Sequence, residues 1–245
     1  MKIIYSEFPA DYSKYNFPYQ VLCKRKSSDQ LEKIYDQGFL PFRNNKDLFY
    51  LSRSSRSKVD KYELSSENKR IISKTENFIF EFFPINDFEY SPQVQKTCKE
   101  WSKSKGWSIS TISIKKLFSG SYFNLILTVK HKEAVVGYSV IYQEEGFVHW
   151  AYVFINPEFE RSGLVIRMGI EVIKNAKETG SKYVYLGTCY GNNNYKRNYP
   201  GFEYFEGSGW SNNLEKLKLL NERNQDYSYK DERYQAILKS GENNE

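Results

Sequence analysis

The sequence predicts an α/β fold, a mixed sheet in which an antiparallel meander feeds one β-α-β crossover, preceded by a small N-terminal α+β unit. Three observations predict it. Between residues 124 and 155, β-rich runs are separated by short charged turns, His131-Lys132-Glu133 and Glu144-Glu145-Gly146, and such short connections join antiparallel neighbours. At Asn156-Pro157 the apolar period changes from two to about 3.6. After Gly180, the run Tyr183-Val184-Tyr185-Leu186 completes strand–helix–strand, which packs back as a right-handed crossover with a parallel pair.

The elements follow in order. Residues 1–72 read as a small basic unit and 73–245 as the main domain. In the first, Ser27-Ser28-Asp29 offers helix caps, Leu31, Ile34 and Tyr35 share one face of a short helix, and Gly38 can end it. Phe39 to Arg43 and Leu48 to Leu51 read as strands around a turn at Asn44 to Asp47. Ser52 to Lys58, rich in serine and arginine, reads as an exposed loop. In the second, Asn77 to Phe83 is a strand stopped by Pro84, and Ile85 to Gly106 holds helical pieces. Strands at about 124–129, 134–142 and 147–155 precede a helix at about 163–179. Its inner face is Val165, Met168, Val172, Ile173 and Ala176.

Composition narrows the class. Hydrophobic residues make up 40% and charged residues 27% of 245, values of a globular chain rather than a disordered one. Aromatic residues reach 17%, with 21 Tyr and 17 Phe. They supply an aromatic core or surfaces on which bases stack. A net charge of +6 permits a polyanionic partner without requiring one. Cys23, Cys98 and Cys189 stand apart and only two histidines occur, too few ligands for a closed metal site, so no metal is expected. No signal-peptide stretch opens the chain, and no apolar run nears the roughly 20 residues a bilayer span needs. A soluble, cytoplasmic protein with no membrane partner is expected.

Two runs carry a resemblance. One is Val136 to Val140 with Trp150 to Ser162. The other is Ile170-Glu171 through Gly180-Ser181-Lys182-Tyr183-Val184-Tyr185-Leu186-Gly187. With Tyr195-Lys196, Tyr199 and Pro200, they resemble the arginyl- and leucyl-tRNA–protein transferases, whose core is of the acetyltransferase (GNAT) type. Tyr35 to Phe39, Phe49-Tyr50 and Ser65 to Ile71 are similar to that family's N-terminal landmarks. The departures are Ser52 to Ser57, where the family carries a cysteine cluster, a shorter segment around Cys189 to Gly191, and Gly201 to Trp210, which has no counterpart. The resemblance implies transfer of an amino acid from aminoacyl-tRNA to the N-terminal amine of an acceptor protein or peptide, as in N-degron pathways, with no further cofactor.

The chemistry implied is modest. The ester of an aminoacyl-tRNA is already activated, so the protein must align an amine, take up a proton and steady an oxyanion. Tyr190, Tyr195 and Glu203 could relay the proton, the alternative for the tyrosines being packing. Backbone near Tyr152 and Phe154, and at Gly187, would face the substrate where the strands separate. Arg161, Arg167, Lys196 and Arg197 could fix an acidic acceptor terminus, or be solvated charges. Lys24, Arg25, Lys26, Arg53 and Arg56 could track an acceptor stem, because phosphate contacts need charge more than geometry. Acetyl-CoA is the alternative donor. Its pyrophosphate would sit on the helix start at Glu160 to Val165, where Gly163 is present but Val165 crowds the backbone. Gly163 and Arg161 read equally as an ordinary helix-entry turn. Cys189 reads as a buried thiol, His149 as structural or surface. A non-catalytic RNA- or peptide-binding relative is the remaining reading.

Overall fold

A computed structural model describes residues 1–5, 21–26, 30–42, 45–120, 122–190 and 195–222. The proposed caps Ser27-Ser28-Asp29, the turn residue Asn44 and the position Gly191 lie outside these. The chain forms two compact units, one from the described residues within 1–55, 188–194 and 203–245, the other from 56–187 and 195–202. The position 72/73, expected as a boundary, lies inside a helix, α2 below, and the two units divide at 55/56.

In the first unit, β1 (Lys2–Tyr5), β2 (Val21–Lys24), β3 (Phe39–Phe42) and β4 (Asn45–Leu51) form an antiparallel sheet of order β1-β2-β4-β3. The helix α1 (Leu31–Asp36) buries Leu31, Ile34 and Tyr35, the face that the apolar spacing predicts. Tyr35 meets the ring of Phe49 edge-on at 6.0 Å.

The next strand corrects an expectation. Ser52 to Lys58 is no exposed loop: Ser54–Lys58 is a strand, β5, and Ser52 through Ser57 are all buried. Serine is small enough to run inside a sheet once its hydroxyl has a carbonyl to bond. Ser54 donates to the Gly38 carbonyl at 2.5 Å, and Ser57 donates to that of Pro200. Arg53 and Arg56 are 0% and 5% exposed, so neither can track an acceptor stem. The Arg53 guanidinium donates to Asn221 Oδ1 at 2.5 Å, and that of Arg56 lies on the Tyr183 ring at 3.8 Å.

The second unit begins in β5. The helix α2 (Ser66–Lys74) is fixed by a capping box between Ser65 and Asn68, and Asn68 also donates to the Asn198 carbonyl. The strands β6 (Phe78–Pro84), β7 (Leu125–His131), β8 (Ala134–Glu144) and β9 (Phe147–Ile155) form the predicted antiparallel meander. Between β6 and β7 lie α3 (Pro92–Ser104) and α4 (Thr111–Leu117); α3 buries Val94, Cys98 and Trp101 and packs on β8 and β9. The crossover helix α5 (Leu164–Glu178) buries Met168, Val172, Ile173 and Ala176 with Leu164, Gly169 and Ile170, while Val165 is half-buried. It delivers β10 (Tyr183–Thr188) parallel to β9, as the change of period predicts. The sheet order here is β5-β10-β9-β8-β7-β6.

The chain then returns to the first unit. The strands β11 (Phe202–Phe205) and β12 (Trp210–Ser211) pair antiparallel, and α6 (Leu214–Glu222) follows. A side chain at Gly38, whose φ is +82°, would collide with the Phe205 ring. Only glycine suits both that ring and that backbone.

Candidate active site

Two irregularities open the second unit's sheet at one place. Parallel pairing of β9 with β10 runs through Phe147, Val148 and His149, opposite Tyr183, Val184 and Tyr185, and goes no further. Two residues on, Gly187 takes a φ of +80°, a left-handed turn that bends β10 away from its neighbour. On the other side of β9 the register with β8 shifts: Val140 faces Tyr152 while Ile141 faces Trp150. Ala151 is therefore left as a β-bulge. From Trp150 onward β9 offers backbone groups on the side where β10 has departed. These are fixed N–H dipoles of the kind that stabilise an oxyanion without reorganising.

Side chains pin this opening. Ser139 donates to the Tyr152 carbonyl at 2.7 Å and accepts from the Trp150 indole, holding both flanks of the bulge. The turn Tyr195–Asn198 brings Lys196 to β10, its Nζ standing 3.3 Å from where a Cβ on Gly187 would lie. Tyr199 is buried against α5, its ring 5.8 Å from that of Trp150 and 6.1 Å from that of Tyr195, and its hydroxyl donates to the Val165 carbonyl at 3.2 Å. Burial pushes the Tyr195 phenol up to about 12, and burial, then Tyr195, holds the Tyr199 phenol well above its ordinary value. At neutral pH both phenols are donors, not phenolate bases. Burial, then the Lys196 charge, holds His149 down at about 3, so the imidazole is neutral.

One side of the start of α5 is packed. Gly163 caps the helix with a φ of +85°, and the nearest groups to the side chain it lacks are the Ile71 carbons at 3.5 and 3.6 Å. Lys74 donates to the Arg161 carbonyl at 3.1 Å. The C-terminal half of α2 thus lies against the turn on which a pyrophosphate would have to rest.

The predicted site residues distribute unevenly. Gly187, Tyr195 and Lys196 come together beside the opening, and Tyr152 lies just past the bulge, half-buried against Phe123. Phe154 is 0% exposed, packed on Phe118, so its side chain cannot touch a substrate. Arg167 is engaged within the fold. It is paired to Glu171 at 2.7 Å, donates to the Ile72 carbonyl at 3.1 Å, and lies over the Phe80 ring. Those contacts brace α2 against α5. Arg161 and Arg197 are exposed.

Tyr190 and Glu203 belong to the first unit, apart in membership from Tyr195. The Tyr190 hydroxyl is 3.3 Å from Ser52 Oγ and accepts the Arg53 N–H at 3.2 Å. Burial raises its phenol although these bonds pull the other way. Glu203 lies half-buried in β11, and Lys24 and Lys26 are exposed. Cys189 is a buried thiol whose N–H donates to the Arg53 carbonyl at 2.9 Å.

The sequence runs assign no site role to Ala151, Ser139, Trp150, Ile71 or Gly169, and His149 reads from them as structural or surface without the Lys196 link. A lone small residue inside Trp150-Ala151-Tyr152-Val153-Phe154 was the one available signal of a bulge.

An antiparallel meander, a β-α-β crossover and strands that part beside a bulge define the GNAT class of fold. One solved structure agrees. FemX matches with a TM-score of 0.51 at 11% identity, over 80% of this chain and 71% of that one. The C-terminal domain (DUF2156) of a candidate lysylphosphatidylglycerol synthetase from Agrobacterium fabrum matches at 0.45 and 10%, over 69% of this chain. This chain spans about half of that domain, 54%. A GNAT family acetyltransferase from Brucella melitensis, in complex with acetyl-CoA, matches at 0.37 and 14%, over 49% and 80%. At 11% identity the likeness to FemX is one of fold alone. No family model matches the sequence, and no curated protein matches it.

Proposed function

We propose that this protein is an aminoacyltransferase that takes its acyl group from aminoacyl-tRNA and passes it to the N-terminal amine of an acceptor protein or peptide. The observation that carries the reading is the open reaction site on β9, beside a helix start whose Gly163 turn packs against α2. The parted strands and the bulge at Ala151 present backbone donors to an acyl carbonyl. Ile71 meanwhile packs beside the Gly163 turn, and Tyr199 donates to the Val165 carbonyl. A CoA pyrophosphate would rest on that turn; a tRNA-borne ester makes no demand on it. The resemblance at Tyr183 to Gly187 and at Tyr195-Lys196 points the same way.

The amine must arrive neutral. It attacks the ester carbonyl, forming the C–N bond and a tetrahedral oxyanion that the β9 N–H groups and the Lys196 ammonium stabilise. The C–O bond to the tRNA ribose then breaks. The ribose oxygen leaves with a proton, and the amine nitrogen loses one, so that charge and atoms balance. Tyr195, protonated at neutral pH, would hand a proton on rather than start the reaction as a base.

The test is a direct comparison. The protein is incubated with charged tRNA pools and acidic-terminus peptides, and in parallel with acetyl-CoA and the same peptides. Incorporation of an amino acid from tRNA is expected. Saturable acetyl-CoA turnover with no tRNA-dependent product would replace this reading with a CoA-dependent N-acetyltransferase.

A further inference from the structure

Helices α3 and α4 pack together at a corner of the second unit, and this corner is both basic and apolar. Between Pro92 and Phe118 the sequence has Lys96, Lys99, Lys103, Lys105, Lys115 and Lys116 against one acid, Glu100. Three of these lysines are engaged. Lys96 lies 4.0 Å from Glu100, Lys99 donates to the Ile109 carbonyl at 3.0 Å, and Lys105 bonds Glu160 above the Trp101 ring. Lys103, Lys115 and Lys116 are exposed, and none has an ion-pair partner among the described residues.

Beside them stand two large apolar side chains. Trp107 is 46% exposed and Ile112 is 74% exposed. Their positions are held from below. Gly106, with φ +68°, turns the chain out of α3, and the Trp107 N–H then donates to the Ser102 carbonyl at 2.8 Å. On α4, Ile112, Lys115 and Lys116 stand at i, i+3 and i+4, one helix face. Ile114 and Leu117 fill the opposite, buried face, so Ile112 cannot turn inward.

We infer that this corner docks on the surface of a bilayer containing anionic phospholipid. Trp107 and Ile112 enter the headgroup boundary, and Lys103, Lys115 and Lys116 meet lipid phosphates. Charge complementarity selects an anionic partner, and Ile112 selects lipid over RNA. An exposed aliphatic side chain gains nothing from a phosphodiester backbone, whereas the interface takes up both isoleucine and indole. Among the described residues no helix is long and apolar enough to cross a membrane. The attachment is peripheral and reversible, and it needs no spanning run of the kind whose absence led the sequence to exclude a membrane partner.

The experiment is vesicle flotation of the full chain with phosphatidylcholine alone and with an equimolar mixture of phosphatidylcholine and phosphatidylglycerol. Binding to the anionic vesicles alone is expected, weakening as salt is added. The triple variant Lys103→Ala, Lys115→Ala, Lys116→Ala should lower partitioning about a hundredfold, roughly fivefold per lysine. Trp107→Ser with Ile112→Ser should lower it about tenfold at unchanged charge; either single substitution serves should the pair fail to fold. Lys33→Ala, Lys69→Ala and Lys182→Ala together remove the same charge elsewhere and should change little. The inference falls if the wild type does not float, floats equally with neutral vesicles, or loses as much to the control triple. It also falls if the patch triple lowers affinity for tRNA in a gel shift while vesicle binding stands, which would make the corner an RNA surface. None of these outcomes depends on transferase activity.

Discussion

The phenol of Tyr199 lies directly on the backbone of Gly169: a methyl group on residue 169 would overlap the ring. Gly169 is thus the one residue type in α5 that lets Tyr199 stay between Trp150 and the Val165 carbonyl. Gly169→Ala should cost about 1–3 kcal/mol, the usual cost of overpacking a core, despite alanine's better helix propensity. Tyr199→Phe keeps the ring and loses one hydrogen bond, so it should cost only about 1 kcal/mol. Urea denaturation of the two variants checks the order. A stabilised Gly169→Ala protein would mean that Tyr199 is not seated there.

His149 gives a pH signature. Its ordinary value is 6.5, and in the folded protein it stands at about 3. The unfolded chain therefore binds the proton more readily between those values. Stability contributed by His149 is fully present above about pH 6.5 and is lost as pH falls toward 3, by up to about 1.4 kcal/mol per pH unit. Urea midpoints measured from pH 7 to pH 5 should fall for the wild type and flatten for His149→Gln. Parallel curves for the two proteins would refute the assignment.

Arg167 should behave as a brace. Its pair with Glu171 leaves the side chains only 14% and 15% exposed, so Arg167→Met strands a poorly solvated carboxylate and should cost about 3 kcal/mol. Glu171→Gln in the same background should recover part of that loss. Thermal melts of the single and double variants measure it. If Arg167 instead bound the acceptor, the peptide KM would rise with no change in melting temperature.

Lys196 and Tyr195 should divide differently. Lys196→Met should lower kcat for transfer by about a hundredfold, as loss of an oxyanion-stabilising group does, with tRNA affinity little changed. Tyr195→Phe should lower kcat as well while leaving KM near its original value. Single-turnover rates with charged tRNA separate these effects. A change confined to KM would remove both residues from the reacting centre.

Salt should separate the basic runs. Replacing Lys24, Arg25 and Lys26 by alanine should weaken tRNA binding and shallow its salt dependence. Arg53→Ala should instead destabilise the fold, because the Arg53 guanidinium is buried against Asn221 and Tyr190. Gel shifts at two salt concentrations beside a thermal melt distinguish them.

Periodicity made the meander, α5 and β10 legible, because one buried face imposes a strict repeat on each. It failed at Ser52 to Lys58, where no apolar residue marks the strand. Burial there rests on hydroxyl-to-carbonyl bonds and on Arg56 stacking over Tyr183, partners remote in sequence. The site was half legible. Gly187, Tyr195 and Lys196 lie near one another along the chain, and a motif can expose them. The bulge at Ala151 is a mismatch between two strands, and the packing of Ile71 beside Gly163 joins positions far apart. Neither belongs to any single stretch of sequence.

The first unit's discontinuity sets an order of events during synthesis. Its opening stretch, residues 1–55, leaves the ribosome well before the companions at 188–194 and beyond 203 exist. At usual elongation rates that interval is on the order of ten seconds. Throughout it, the guanidinium of Arg53 lacks Asn221 and the Gly38 turn lacks the Phe205 ring. All four strands of the sheet are available by then, but the nascent chain must hold them without these packing partners. Any C-terminal truncation before Phe205 should leave it so permanently.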